Sequence, residues 1–87
     1  MSTSNKEINQ HNAEGKRHGW WENFFKEGRV MYKGNYVNGN LEGYWEAYWY
    51  NGQPYYKGNY VNDSKDGWWE IYNNEGVLQN KSYYVNV

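Results

Sequence analysis

The chain has 87 residues, with nine basic and ten acidic side chains and no cysteine. The lack of cysteine excludes disulfides, thiolate nucleophiles and cysteine-ligated metals, and the nearly balanced charge argues against nucleic-acid binding, which needs a basic surface. Aromatic residues make up 22% of the chain, so we expect one small domain whose apolar surface consists mainly of tryptophan and tyrosine rings.

Residues 1–11 are polar, and we predict that they form a flexible N-terminal segment. They contain no apolar stretch long enough for a signal peptide or a membrane span, so we expect a cytoplasmic protein without a membrane span. Residues 12–18 copy the glycine spacing of later segments and are predicted to be a partial repeat that opens a domain over 12–87.

A repeat of 24 residues dominates the rest of the chain. The tetrapeptide GWWE at 19–22 returns as GYWE at 43–46 and as GWWE at 67–70, and YKGNYVN at 32–38 returns unchanged at 56–62. A fixed period without insertions indicates stacked copies of one supersecondary unit. The predicted repeat boundaries are 19–42, 43–66 and 67–87.

Each repeat is predicted to be a β-hairpin, because a glycine turn separates two runs rich in aromatic and β-branched residues. Asn51-Gly52 predicts a two-residue type I′ turn, and Glu27-Gly28 and Glu75-Gly76 occupy the same place in the other copies. No apolar spacing of three and four residues persists, which disfavours helix. The predicted fold is all-β: an antiparallel meander of about three 24-residue β-hairpin repeats forming an elongated, twisted, single-layer sheet.

Folding the chain at Asn51-Gly52 also predicts a cross-strand register. Opposite charges that face each other, and a large ring over a residue with little side chain, are favourable cross-strand pairs. The second copy then pairs Glu46 with Lys57, Trp45 with Gly58 and Tyr48 with Tyr55. The first copy pairs Glu22 with Lys33, Trp21 with Gly34 and Phe24 with Met31, and the third pairs Glu70 with Lys81, Trp69 with Ser82 and Tyr72 with Gln79.

This register separates two faces of the sheet. One face is predicted to be a buried aromatic groove containing Trp21, Phe25, Val30, Tyr32, Tyr36, Trp45, Ala47, Trp49, Tyr56, Tyr60, Trp69, Ile71, Leu78 and Tyr84. The opposite, wet face is predicted to contain the Glu–Lys pairs, Trp20, Tyr44 and Trp68, the column of Phe24, Tyr48 and Tyr72, and Asn35 and Asn59.

The spacing of glycine and aromatic residues resembles the MORN repeat, whose pattern is Tyr-x-Gly-x-aromatic-x-x-Gly-x-x-x-Gly. The matching residues are Tyr32, Gly34, Tyr36, Gly39 and Gly43, followed by Trp45 and Asn51-Gly52. The Gly-x-Trp opening and the Asn-Gly centre are most similar to the bacterial variant found in proteins described as antitoxins of toxin–antitoxin systems. The resemblance covers roughly 12–87, with Asp63 in place of the glycine equivalent to Gly39 and Ser82 in place of the one equivalent to Gly34. It implies an elongated meander of hairpins that serves as a protein-interaction or membrane-associated module.

Catalytic, metal and cofactor sites are not expected. Glu22, Glu46 and Glu70 each face a lysine in the predicted register, so an ion-pair ladder is a better interpretation than paired catalytic carboxylates. His11 and His18 lie in a polar segment without the cysteine or carboxylate pattern that would complete a metal site. No catalytic triad spacing, phosphate loop or dinucleotide fingerprint is present in the sequence.

The chain carries more aromatic side chains than are needed to cover a sheet, and exposed tryptophan and tyrosine are typical of binding hot spots. We therefore predict a small non-enzymatic module that binds and blocks or neutralises a partner protein, like an antitoxin or a phage-type inhibitor, and that forms a homodimer. A binder of sugars or nucleotides by aromatic stacking and a binder of phospholipid headgroups are the alternatives. The predicted partner-binding residues are Trp20, Tyr44, Tyr48, Trp49, Tyr50, Tyr55, Trp68 and Tyr72.

Overall fold

The computed structural model describes residues 8–85, and within them the chain forms seven strands and no helix. Every strand pairs antiparallel with the next one along the chain, in a single sheet of order β1 to β7, which confirms the predicted all-β meander. The molecule measures 39 × 38 × 20 Å, so the sheet is about as wide as its hairpins are long. The strands are β1 Gln10–His11, β2 Arg17–Phe24, β3 Val30–Val37, β4 Asn40–Tyr48, β5 Pro54–Val61, β6 Ser64–Tyr72 and β7 Leu78–Tyr84.

The two ends of the sheet carry different turns. At Asn51-Gly52 only the glycine has a positive φ, and the Gly52 N–H donates to the Trp49 carbonyl at 2.9 Å, so three residues form the loop. The type I′ turn predicted there is wrong. Two-residue turns with positive φ at both positions instead join one repeat to the next, at Asn38-Gly39 (53° and 88°) and at Asn62-Asp63 (50° and 73°).

Asp63 shows how a residue other than glycine can occupy the second position of such a turn. Its φ of 73° lies in the left-handed region that asparagine and aspartate tolerate better than most residues. Its carboxylate accepts a hydrogen bond from the Leu41 N–H at 2.7 Å, and its own N–H donates to the Leu41 carbonyl at 2.9 Å. The substitution therefore preserves the turn and adds a contact to the preceding repeat.

The centre of each hairpin has the predicted register. Glu22 pairs with Lys33, Glu46 with Lys57 and Glu70 with Lys81, and the Trp–Gly and Trp–Ser pairs beside them are also confirmed. The pairs nearest the loops are wrong. Phe24 faces Val30, Tyr48 faces Pro54 and Tyr72 faces Leu78, because one extra residue bulges out of each returning strand, namely Met31, Tyr55 and Gln79.

These bulges move side chains between faces. Residues that face each other across a strand pair share one face, so Val30 and Leu78, which we predicted to lie in the groove, lie on the opposite face. Tyr55 makes the reverse change. Its ring packs against Trp49 at a centroid distance of 4.1 Å and against Tyr56 at 4.9 Å, on the groove side.

The core consists of tryptophans that bridge neighbouring repeats. The buried residues Trp21, Trp45, Ala47 and Trp69 all lie on the groove side. Trp45 faces Gly58 in its own hairpin, as predicted, but its ring leans the other way and covers Gly34 of the preceding repeat. Trp69 covers Gly58 in the same manner. The expected ring-over-glycine contact therefore couples one repeat to the next instead of closing a hairpin.

The last residues of the predicted N-terminal segment pair with the sheet. Residues 8–11 of the segment expected to be flexible include β1, and the Trp21 indole N–H donates to the Gln10 carbonyl at 3.0 Å. Residues 1–7 of that segment lie outside the described residues. No helix within 8–85 is long and apolar enough to cross a membrane.

Candidate functional site

A row of alternating charges crosses one face of the sheet from β2 to β7. Its members, called the charge row below, are Glu22, Lys33, Glu46, Lys57, Glu70 and Lys81, and each one faces the next across a strand pair. The face that carries this row is called the aromatic face, because a column of rings flanks the row on each side. The opposite side of the sheet is called the groove face.

Glu46 lies at the centre of the aromatic face and holds two rings. Its carboxylate accepts hydrogen bonds from the hydroxyls of Tyr44, at 2.7 Å, and of Tyr48, and the ammonium of Lys33 lies 3.8 Å away. The ion pair thus joins two neighbouring hairpins and not the two strands of one. Burial acts to raise the pKa of Glu46, but the two hydroxyls and Lys33 outweigh it and lower this pKa below its usual range.

The other two repeats use the same arrangement with different groups. The Trp20 indole N–H donates to the Glu22 carboxylate at 2.9 Å, and the Tyr72 hydroxyl donates to Glu70 at 2.6 Å. This hydrogen bond raises the pKa of Tyr72. In each repeat a carboxylate therefore restrains the ring two residues before or after it in the strand.

Lysines of the charge row also lie over rings of the aromatic face. The ammonium of Lys33 is 5.7 Å from the centroid of Tyr48, that of Lys57 is 5.4 Å from Tyr72, and that of Lys81 is 5.0 Å from Trp68. Such cation–π contacts each contribute roughly 0.5–1 kcal/mol at exposed positions. Together with the carboxylate contacts they hold the rings in defined positions.

Several of these rings remain open to solvent. The exposed fraction is 57% for Trp68, 60% for Tyr83, 43% for Tyr44 and 45% for Phe24. By contrast Trp69, the next residue after Trp68, is only 3% exposed on the groove face. Adjacent tryptophans in one strand thus have opposite roles, since Trp69 packs the core and Trp68 presents a surface.

The groove face carries a depression of about 430 Å³ near the loops of the first two repeats. Phe25, Trp49, Tyr50 and Tyr55 line it, and Tyr50 is 51% exposed. Trp49 is fixed by its indole N–H, which donates to the Tyr72 carbonyl at 3.0 Å, and Tyr50 packs edge-on against Phe25 at 5.2 Å.

The eight predicted partner-binding residues therefore do not form one surface. Five lie together on the aromatic face, namely Trp20, Tyr44, Tyr48, Trp68 and Tyr72, whereas Trp49, Tyr50 and Tyr55 lie on the groove face. The prediction omitted Phe24 and Tyr83, which belong to the aromatic face. Tyr83 packs against Trp68 at 5.1 Å, and the predicted register already placed it opposite Trp68, so the sequence contained the signal for it.

Neither histidine takes part in a cluster of potential metal ligands. His11 packs edge-on against Trp21 at 5.2 Å, and His18 accepts a hydrogen bond from the Asn38 N–H at 3.2 Å. Within residues 8–85, no group of three or more His, Asp or Glu side chains is placed to hold a metal ion.

No family model, no curated protein and no solved structure matches this chain.

Proposed function

We propose that this chain is a cytoplasmic, non-enzymatic, MORN-like module that binds a partner protein through the aromatic face and blocks or neutralises it, in the manner of an antitoxin or a phage-type inhibitor. The observation that supports the proposal most directly is the set of exposed rings whose positions the charge row restrains. Trp68 and Tyr83 are more than half exposed, yet both have ring partners.

Restrained rings favour binding because association must otherwise immobilise each side chain. That ordering costs roughly 0.5–1.5 kcal/mol for every flexible side chain at an interface. Tyr44 and Tyr48 have already lost this freedom to their hydrogen bonds with Glu46. Tyrosine and tryptophan also combine a large contact area with few rotatable bonds, which is why they are frequent in binding surfaces.

The charge row indicates which charges the binding surface of the partner should carry. Because acids and bases alternate along it, the face has no strong field of one sign that would attract a polyanion such as nucleic acid or an anionic membrane. The partner surface should be mainly apolar, with isolated groups of either charge that match the row.

The experiment is capture of a protein partner from the native host with the full chain as bait. We expect a stoichiometric protein with the wild-type chain and loss of about 2 kcal/mol of binding free energy with Trp68→Ala. Tyr50→Ala is the matched control, because it removes a comparably exposed ring from the groove face. Failure to capture any stoichiometric protein contradicts the proposal, as does equal affinity of Trp68→Ala and the wild type.

One observation favours the binding of a small ligand instead, namely the ring-lined depression on the groove face. However, the rings of Trp49 and Tyr55 lie against each other, with a centroid distance of 4.1 Å and a tilt of 36°, which leaves no gap between them for a sugar or a base. Titration of the tryptophan fluorescence with a panel of glycans and nucleotides tests this function. A saturable response that Tyr55→Ala abolishes would favour it over protein binding.

Phospholipid-headgroup binding has weaker support, because Lys33 and Lys57 each lie between two carboxylates of the charge row. Co-sedimentation with liposomes containing anionic lipid tests it.

Self-association through an aromatic surface belongs to the proposal as well, since a single-layer sheet gains by covering its rings with a second copy. Light scattering should then report a dimer at high micromolar concentration, and a monomer would contradict that part.

A further inference from the structure

The two edges of the sheet differ in whether the outer backbone groups of the edge strand have hydrogen-bond partners. At the N-terminal edge, Asn9 covers the part of β2 that β1 does not reach. Its side-chain oxygen accepts from the Glu22 N–H at 2.8 Å, its side-chain nitrogen donates to the Glu22 carbonyl at 3.1 Å, and its backbone N–H donates to the Trp20 carbonyl at 2.8 Å. A single residue thus makes the hydrogen bonds that a further strand would make. This protects the edge from pairing.

The C-terminal edge has no comparable cover among residues 8–85. Strand β7 is seven residues long, and within the described chain it pairs with β6 alone. Its side chains Leu78, Tyr83 and Tyr84 are 45%, 60% and 39% exposed. A seven-residue edge strand with one unpaired row of backbone groups is a template for strand addition.

The charge row indicates what an added strand should carry. Lys33 faces Glu22 on one side and Glu46 on the other, and Lys57 likewise faces a carboxylate on both sides. Lys81 faces Glu70 alone, at 3.8 Å, and its side chain is 48% exposed. The next member of the row should therefore be a carboxylate on the incoming strand.

Ser82 prevents a strand with the Trp-Glu sequence of β4 and β6 from adding to β7 in the way that those strands pack on the preceding repeat. Gly34 and Gly58 are each covered by a tryptophan of the following repeat, and a Cβ at these positions would lie 2.3 and 2.2 Å from the ring. Ser82, at the equivalent position, already has a Cβ, so an indole cannot cover it in that way. A depression of about 280 Å³ beside Ser82, lined also by Lys65, Trp69 and Tyr84, has room for an aliphatic side chain.

We propose that the β7 edge is a strand-addition site for an extended acidic segment of a partner protein, which runs antiparallel to β7 and places a carboxylate beside Lys81. The site rests on the proposed function and names the kind of partner segment. It is continuous with the aromatic face, because Lys81 and Tyr83 both contact Trp68. A second copy fits poorly, since Leu78–Tyr84 contains no acidic residue to meet Lys81.

Two synthetic peptides of about nine residues, the length of an ordinary strand, test the site. Both alternate threonine with valine, so that one face is polar and the other apolar. One has a central glutamate on the threonine face and the other a lysine there. Hydrogen exchange of the full chain, followed by mass spectrometry, reports which strand each peptide protects.

We expect the glutamate peptide to slow exchange in β7 and to bind about tenfold more tightly than the lysine peptide, because the charge opposite Lys81 is reversed. Lys81→Glu should invert the preference, and circular dichroism checks that this variant is folded. Equal protection by both peptides, no protection of β7, or protection of β2 instead would overturn the site. So would protection of β7 that rises with protein concentration in the absence of peptide, because it would show a second copy there.

The peptide test needs no natural partner. A negative result in it would therefore concern the β7 site alone, and a negative result in the capture experiment would concern the proposed function. A captured partner whose binding depends on Trp68, together with peptides that leave β7 unprotected, would retain the proposed function and remove the strand-addition site.

Discussion

Trp69 lies so close to Gly58 of the preceding repeat that a Cβ on the glycine would come within 2.2 Å of the indole ring. Real Cβ atoms do not approach a ring this closely, so Gly58→Ala must push Trp69 out of its place in the core. We expect the variant to lose about 1–3 kcal/mol of unfolding free energy, as measured by urea titration.

Ser82→Ala is the matched control for Gly58→Ala. Ser82 occupies the equivalent position in the last repeat, but no tryptophan covers it. The change in unfolding free energy caused by Ser82→Ala should therefore stay within about 0.5 kcal/mol. If Gly58→Ala were as stable as Ser82→Ala, the contact between repeats would not determine the stability of the sheet.

Acid should destabilise the sheet through Glu46. The pKa of this carboxyl is lower in the folded chain than its ordinary value of 4.5, so the folded state releases the proton more readily than the unfolded state. The resulting stability is complete above pH 4.5 and is lost as the pH falls through the folded pKa. Glu46→Gln should therefore be about 1–2 kcal/mol less stable near neutral pH, with a shallower loss in acid.

Urea titrations across the acid range measure this difference. Glu75→Gln is the control, because Glu75 is an exposed loop residue outside the charge row. An acid profile of Glu46→Gln that parallels the wild type would show that the carboxylate is not restrained by Tyr44, Tyr48 and Lys33.

High pH should destabilise the same cluster through Tyr44 and Tyr48, the two hydroxyls that donate to Glu46. Burial, followed by the hydrogen bond to Glu46, raises the pKa of Tyr44 and of Tyr48 above the ordinary value of 10.0. Since the folded pKa is raised, the stability is complete below pH 10.0 and is lost as the pH rises beyond it.

The double variant Tyr44→Phe, Tyr48→Phe should lose less stability than the wild type between about pH 9 and about pH 11, because it lacks both linked protons. Tyr83→Phe, at an exposed position of the same face, serves as the control. Identical alkaline slopes for the double variant and the wild type would contradict the role of the two hydroxyls.

Asn9 should protect the β2 edge measurably. Replacing it by glycine keeps a backbone that accepts its positive φ of 57° but removes both side-chain hydrogen bonds to Glu22. We expect Asn9→Gly to lose about 1–2 kcal/mol of stability and to speed exchange of the Glu22 amide hydrogen. Asn9→Ala adds backbone strain and should be less stable still, whereas unchanged exchange at Glu22 in either variant would refute the capping role.

The central register of the hairpins could be predicted because the pairs combine identical letters in successive copies. Glu46 with Lys57 and Trp45 with Gly58 are favourable only in one alignment, since a slip by one residue loses both pairs. The bulges could not be predicted in the same way. Asn51-Gly52 fits both a two-residue turn and the end of a three-residue loop, and only the backbone conformation distinguishes them.

The candidate site shows the same division. The ring residues were identified from their number and their spacing, but their grouping depended on a strict alternation that the bulge at Tyr55 interrupts. The role of Asn9 depends on two hydrogen bonds to Glu22, thirteen residues further along the chain, which no local sequence pattern predicts. The bridge from Lys33 to Glu46 likewise joins two hairpins that were each predicted separately.

The sequence by itself determined an array of antiparallel hairpins, because glycine and aromatic residues at a constant period permit one pattern of turns and cross-strand pairs. The tertiary structure decided which faces and edges that array presents. A single bulged residue inverts the alternation near each loop. Trp45 faces a glycine on each side, and packing selects Gly34 in the preceding repeat over Gly58 in its own hairpin. The repeat therefore specifies how the strands pair, while the packing between repeats specifies what the surface offers to a partner.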